Sequence, residues 1–84
     1  MFKEYDNALV AELSFKDFAT AFAFMTLVAE LAETQQHHPD WSNNYNKVSI
    51  RLTTHDAGNT VTKKDRALAE AIETHPGIRE LLGQ

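Results

Sequence analysis

A chain of 84 residues with a formal charge of -4 and no cysteine excludes a disulfide-stapled scaffold and any thiolate chemistry. Eight basic residues stand against twelve acidic ones with no local lysine or arginine cluster, which argues against nucleic acid as a ligand and favours a small or neutral one. One domain of this size buries only about 60 to 65% of the surface its unfolded chain exposes, so a lone monomer is marginal and self-association is expected.

Met1-Phe2-Lys3-Glu4 lacks the apolar run of a signal peptide, and no segment approaches the ~20 apolar residues of a membrane span. The expectation is a soluble, cytoplasmic protein. From Phe2 to Phe15 the pattern is extended, with Asp6-Asn7 suited to a tight turn and Leu9, Ala11 and Leu13 on one side of the second strand. Ser14 followed by Asp17 resembles a capping box, which predicts a helix from about residue 15 or 16 to Thr34.

That helix carries two apolar stripes. Phe18, Phe22, Met25, Ala29 and Ala32 form one, and Ala21, Phe24, Val28 and Leu31 the other. A helix packed on one sheet needs a single stripe, so the surplus predicts a second burial surface, most simply another copy of the chain. After Thr34 the periodicity collapses into Gln35-Gln36-His37-His38-Pro39, where proline pushes His38 out of helical geometry.

Residues 40–54 read as a hairpin turning at Tyr45-Asn46, with Val48, Ile50 and Leu52 inward and His55 at its end. Ala57 to Thr60 is a loop. Thr62 then caps a helix whose first turn holds Asp65 and whose buried side holds Ala67, Leu68, Ala71 and Ile72. His75-Pro76-Gly77 closes this helix, and Ile78 to Gln84 is a short tail without assigned structure. The order ββαββα gives an α+β domain: one four-stranded antiparallel sheet with helices on one face.

Three of the four histidines, His37, His38 and His55, gather in the middle of the chain with Tyr45 and Asp65 among and after them. An imidazole, with an ordinary pKa of roughly 6.5, both gives and takes protons near neutrality, so acid-base work or metal binding is indicated. Zinc is disfavoured because adjacent residues in an extended segment point to opposite sides and zinc ligands are usually spaced further apart. Nucleophilic chemistry lacks a cysteine or a serine on a glycine elbow, and no glycine-rich run is present to cradle phosphate. Proton transfer in a water-poor pocket remains. His75, beside Pro76 at a helix end, is read as a structural residue.

Glu33, His37-His38-Pro39, Tyr45, His55 and Asp65, at intervals of three, five, nine and nine intervening residues, resemble the active-site signature of the pterin-4a-carbinolamine dehydratases. The likeness extends to Ser14-Phe15-Lys16-Asp17-Phe18, Ala21 to Met25, Tyr45-Asn46-Lys47-Val48 and Thr54-His55-Asp56. It implies a dehydration in which a 4a-hydroxytetrahydropterin, the product of aromatic amino acid hydroxylases, loses water to give the quinonoid dihydropterin. It implies no metal and no cofactor, a pterin as substrate, and a homodimer or homotetramer.

On this resemblance His37 and His55 are the proton-transfer pair, and His38 orients the pterin or stabilises charge on it. Glu33 orients an imidazole or the pterin, and Asp65 holds His55 or a water. Pro39 shapes the loop, Thr53 and Thr54 offer contacts at the strand end, and Trp41 and Tyr45 wall the pocket or pack in the core. The chain departs from the family pattern in lacking its N-terminal helix and in a loop from Ala57 to Lys64 that is one residue longer than in many relatives. The resemblance also carries a second role, since some animal relatives serve as dimerisation cofactors of a homeodomain transcription factor through the long helix.

Overall fold

Two tight turns generate the sheet. In the computed structural model, which describes residues 1–83, Asp6 and Asn7 both take left-handed backbone angles, φ 52° and 61°. That is the twist a two-residue hairpin needs, and Asp and Asn tolerate it better than most residues. They join β1 (Lys3–Tyr5) to β2 (Ala8–Ser14). Tyr45, also left-handed at φ 52°, turns β3 (Asp40–Asn44) into β4 (Lys47–Leu52). The strands are antiparallel in the order β1-β2-β4-β3, with Leu9 opposite Leu52 and Ala11 opposite Ile50 across the central pair.

This register puts Leu9, Ala11, Val48, Ile50 and Leu52 on one face, where all are buried. Against them pack Ala21, Phe24, Val28 and Ala32 of α1 (Phe18–Gln35) and Leu68, Ala69 and Ile72 of α2 (Lys63–Thr74). Phe15 lies against Phe24 with ring centroids 5.1 Å apart. The expected four-stranded α+β architecture is present, and no helix precedes β1 among the described residues.

Three local expectations are corrected. Helix α1 starts later than the capping-box reading placed it, because Ser14 remains in β2 opposite Lys47. Asp17 is the cap instead, its carboxylate accepting the Thr20 amide at 2.8 Å, and hydrogen bonding from the Thr20 side chain and then its amide holds the Asp17 pKa below the ordinary value. Strand β4 stops at Leu52, and His55–Ala57 is a turn of 3-10 helix rather than the plain end of a hairpin. The tail also contains a third helix, α3 (Pro76–Leu81).

Pro76 at the first turn of α3 costs no hydrogen bond, and Nδ1 of His75 caps the helix by accepting the Gly77 and Ile78 amides at 3.0 and 3.3 Å. Ile78 is fully buried as the anchor. Gln84 lies outside the described residues.

Candidate functional site

The C-terminal end of α1 creates the first wall of the site. Gln36 takes a left-handed conformation, φ 52°, and the His37 amide reaches back to the Ala32 carbonyl at 3.0 Å, which closes the helix and turns the chain sharply. His37 and His38 follow. The second wall is the segment leaving β4, where Thr54 pairs with Thr60 and His55 opens the 3-10 turn.

Between the two walls is a cavity of about 250 Å3 lined by Gln36, His37, His38, Thr53, Thr54, His55, Asp56 and Lys64. The three central histidines therefore converge on one hollow. A larger hollow of about 370 Å3 lies across the opposite face of the sheet, among Val10, Glu12, Ser49 and Arg51, and no histidine lines it.

His37 is held most firmly, with only 11% of its side chain exposed. Its Nε2 lies 2.6 Å from Oδ1 of Asp65, which is completely buried. The other carboxylate oxygen, Oδ2, accepts the Thr54 hydroxyl at 2.8 Å and the Thr62 amide at 2.8 Å. Burial acts to raise the Asp65 pKa, but the hydrogen bonds from His37, Thr62 and Thr54 and the charge of His37 outweigh it and hold the group below its ordinary value.

An ionised Asp65 requires a proton on Nε2 of His37. Nδ1 is then the nitrogen free for exchange, and among the described residues it has no hydrogen-bond partner and is not sealed from solvent. Thr62 and Asp65 also form the capping box of α2, so one carboxylate both starts a helix and orients a histidine.

His38, also on the cavity lining, is exposed and pairs with a different carboxylate, its Nε2 3.0 Å from Oε2 of Glu33, with 62% and 73% of the two side chains exposed. The hydrogen bond from His38 lowers the pKa of Glu33. Nδ1 of His55 lies 3.3 Å from the side-chain oxygen of Asn59. Among the described residues no group of three or more His, Asp or Glu side chains is placed to hold a metal.

Two readings of individual residues change. Asp65 holds His37, not His55, because the capping geometry of α2 aims its free oxygen at the end of α1. Tyr45 is 63% exposed at the hairpin turn, about 20 Å along β4 from Thr53 at ~3.3 Å per residue, and within one chain it does not line the cavity. Pro39 lies between His38 and β3 without lining the cavity, and Trp41 packs partly buried against the core. Gln36, Asp56 and Lys64 were not anticipated as lining residues. The one signal for Lys64 was its position in the first turn of the helix that Asp65 caps.

A family model described as pterin 4 alpha carbinolamine dehydratase matches residues 2–75. A relative from Rhodospirillum rubrum, provisionally named pterin-4-alpha-carbinolamine dehydratase, is 56% identical over 67 residues, 80% of this chain and 69% of that protein. One from Synechococcus with the same provisional name is 63% identical over 59 residues, 70% of this chain and 62% of that protein.

Among solved structures, a transcriptional coactivator/pterin dehydratase from Brucella melitensis superposes with a TM-score of 0.78 at 40% identity, covering 86% of this chain and 78% of that one. A pterin dehydratase-like RuBisCO assembly factor of the alpha-carboxysome has a TM-score of 0.70 at 21% identity, covering 100% of this chain and 89% of its own, a likeness of fold alone. With the match running through both hairpins, α1 and α2 and taking in every residue of the histidine cavity, the chain belongs to the pterin 4 alpha carbinolamine dehydratase family.

Proposed function

We propose that the protein dehydrates 4a-hydroxytetrahydrobiopterin to the quinonoid dihydropterin, as a step in tetrahydrobiopterin recycling. The convergence of His37, His38 and His55 on one cavity, with His37 locked by a buried carboxylate, carries this reading. At about 250 Å3 the hollow is just below the ~300–1,000 Å3 usual for small-molecule sites. It suits a flat bicyclic ring whose side chain remains toward solvent.

The reaction removes the N5 proton and breaks the C4a–O bond, and the departing hydroxide is protonated to water. One imidazole takes the first proton and another supplies the second, roles that neutral and protonated histidine fill near neutral pH. His37, presenting Nδ1, and His55, on the facing wall, are the pair. His38, on the exposed side of the cavity, orients the pterin, and Glu33, outside the lining residues, acts through its hydrogen bond with His38. Thr53, Pro39 and Tyr45 are left with shaping roles, Tyr45 at a distance unless a neighbouring copy brings it close.

The test is turnover of 4a-hydroxytetrahydrobiopterin by the wild type, His37→Ala and His55→Ala, following quinonoid product. Either substitution is expected to slow the reaction by about a hundredfold, within the ~10²–10⁴-fold range of general acid-base catalysis. Equal rates in all three proteins would leave a second reading, a homo-oligomeric binding module. The observation favouring that role is the exposure of Phe18 and Phe22 on α1, 47% and 53%. A homodimer or homotetramer is compatible with both roles, as is a cytoplasmic location; no described helix is long and apolar enough to cross a membrane.

A further inference from the structure

Counting protons through the buried network behind His37 assigns every donor. An ionised carboxylate only accepts, so the single hydroxyl proton of Thr54 goes to Oδ2 of Asp65. The 2.6 Å contact between the Thr54 and Thr62 hydroxyls is then donated by Thr62, whose oxygen in turn accepts the Lys64 amide at 3.3 Å. The network runs one way, from the Lys64 amide through Thr62 and Thr54 to Oδ2, leaving Oδ1 for His37.

The backbone of Thr54 is equally committed. Its amide donates to the Thr60 carbonyl at 2.9 Å, and its carbonyl accepts the Ala57 and Asn59 amides at 3.2 and 3.1 Å. These bonds define the turn on which His55 sits, while Thr54 itself is only 7% exposed. One residue thus joins both walls of the cavity.

We propose that Thr54 is a positioning residue: its hydroxyl fixes the Asp65 carboxylate and, through it, the ring orientation and tautomer of His37, while its backbone fixes the turn carrying His55. The catalytic consequence rests on the dehydratase reading, whereas the effect on the His37 tautomer does not. Serine retains the hydroxyl, and valine keeps the shape of threonine without the donor, so the two substitutions separate hydrogen bonding from packing.

The experiment compares wild type, Thr54→Val and Thr54→Ser by 15N NMR of the His37 imidazole and by steady-state dehydratase kinetics across pH. In Thr54→Val the population protonated on Nε2 is expected to fall. kcat should drop about tenfold, the low end of the loss seen when the partner orienting a metal-bound histidine is removed, with KM unchanged. The acid limb of the rate profile should also move to higher pH, because a carboxylate deprived of a donor is harder to ionise. Thr54→Ser should restore all three. Wild-type NMR signature and kcat in Thr54→Val would overturn the proposal, as would a Thr54→Ser protein as impaired as the valine variant. If the wild type turns over no carbinolamine, the dehydratase reading fails, and the His37 tautomer in the three proteins still decides the role of Thr54.

Discussion

At the scale of single residues, the two carboxylate–imidazole pairs differ in what their surroundings make of them. Asp65 is fully buried and accepts three hydrogen bonds, whereas Glu33 and His38 meet in open solvent, where such pairs contribute little. Replacing Asp65 by Asn sets an amide donor against a pocket made entirely of donors, and one buried group without a partner costs about 1–3 kcal/mol. The folded-state pKa of Asp65 is depressed, so its stabilisation is present above the unfolded aspartate value of about 3.9 and is lost as pH falls through the lower folded value. Denaturant titration is therefore expected to find Asp65→Asn less stable than wild type at pH 7, with the gap narrowing below about pH 4. A gap unchanged at pH 3 would mean that the fold does not depress the pKa of this carboxylate. Dehydratase rates should follow the same order, with Glu33→Gln slowing turnover far less than Asp65→Asn, because His38 keeps solvent as an alternative partner.

At the scale of elements, α1 decides which of its apolar residues the monomer uses. Phe24 has no exposed surface and is in contact range of Phe15, while Phe18 and Phe22 stack on each other at 5.7 Å in the open. Phe24→Ala is expected to cost about 3–5 kcal/mol of folding stability. Under conditions where the protein is monomeric, Phe22→Ala should cost far less. Urea melts of both variants at low concentration test this, and similar losses would mean that the exposed stripe packs within the monomer. The strands, both turns and α2 were legible in the sequence because they rest on local rules: alternation at Val48, Ile50 and Leu52, turn chemistry at Asp6-Asn7, the Thr62–Asp65 box. The misread elements depended on competition between local and tertiary partners. Ser14 offered a cap but was claimed by its pairing with Lys47, and α3 is fixed by the burial of Ile78, which no six-residue pattern reveals. In the site, the clustering of imidazoles was readable from their types and spacing, but which one Asp65 serves was not. That choice is made where the end of α1 crosses the start of α2, 28 positions apart in the chain.

At the scale of the whole molecule, a chain this short has little core, and five large apolar or aromatic side chains are left exposed among the described residues, two of them neighbours on α1. Phe18 and Phe22 lie on one side of α1, with Met25 half-buried beside them, and β1 and β3 are the two open edges of the sheet. Burying two phenylalanines against their copies in a second chain removes apolar area worth about 25 cal/mol per Å2. Edge pairing would add backbone hydrogen bonds but little apolar burial, since β3 carries Asp40, Ser42, Asn43 and Asn44 around its single tryptophan. The helix face is therefore the expected driver of association. Sedimentation of wild type at micromolar concentration should reveal an oligomer whose melting temperature rises with protein concentration, and a Phe18→Ser/Phe22→Ser double variant should sediment as a monomer with the same far-ultraviolet circular dichroism. Because the histidine cavity is assembled from the far end of α1, the β4 end and α2 of one chain, that monomer should retain most of its activity per site. A double variant that still forms the wild-type oligomer would move the interface to the sheet edges. An inactive but folded monomer would mean that a second copy completes the cavity, and Tyr45, too far away within its own chain, would be the first residue to test for supplying it.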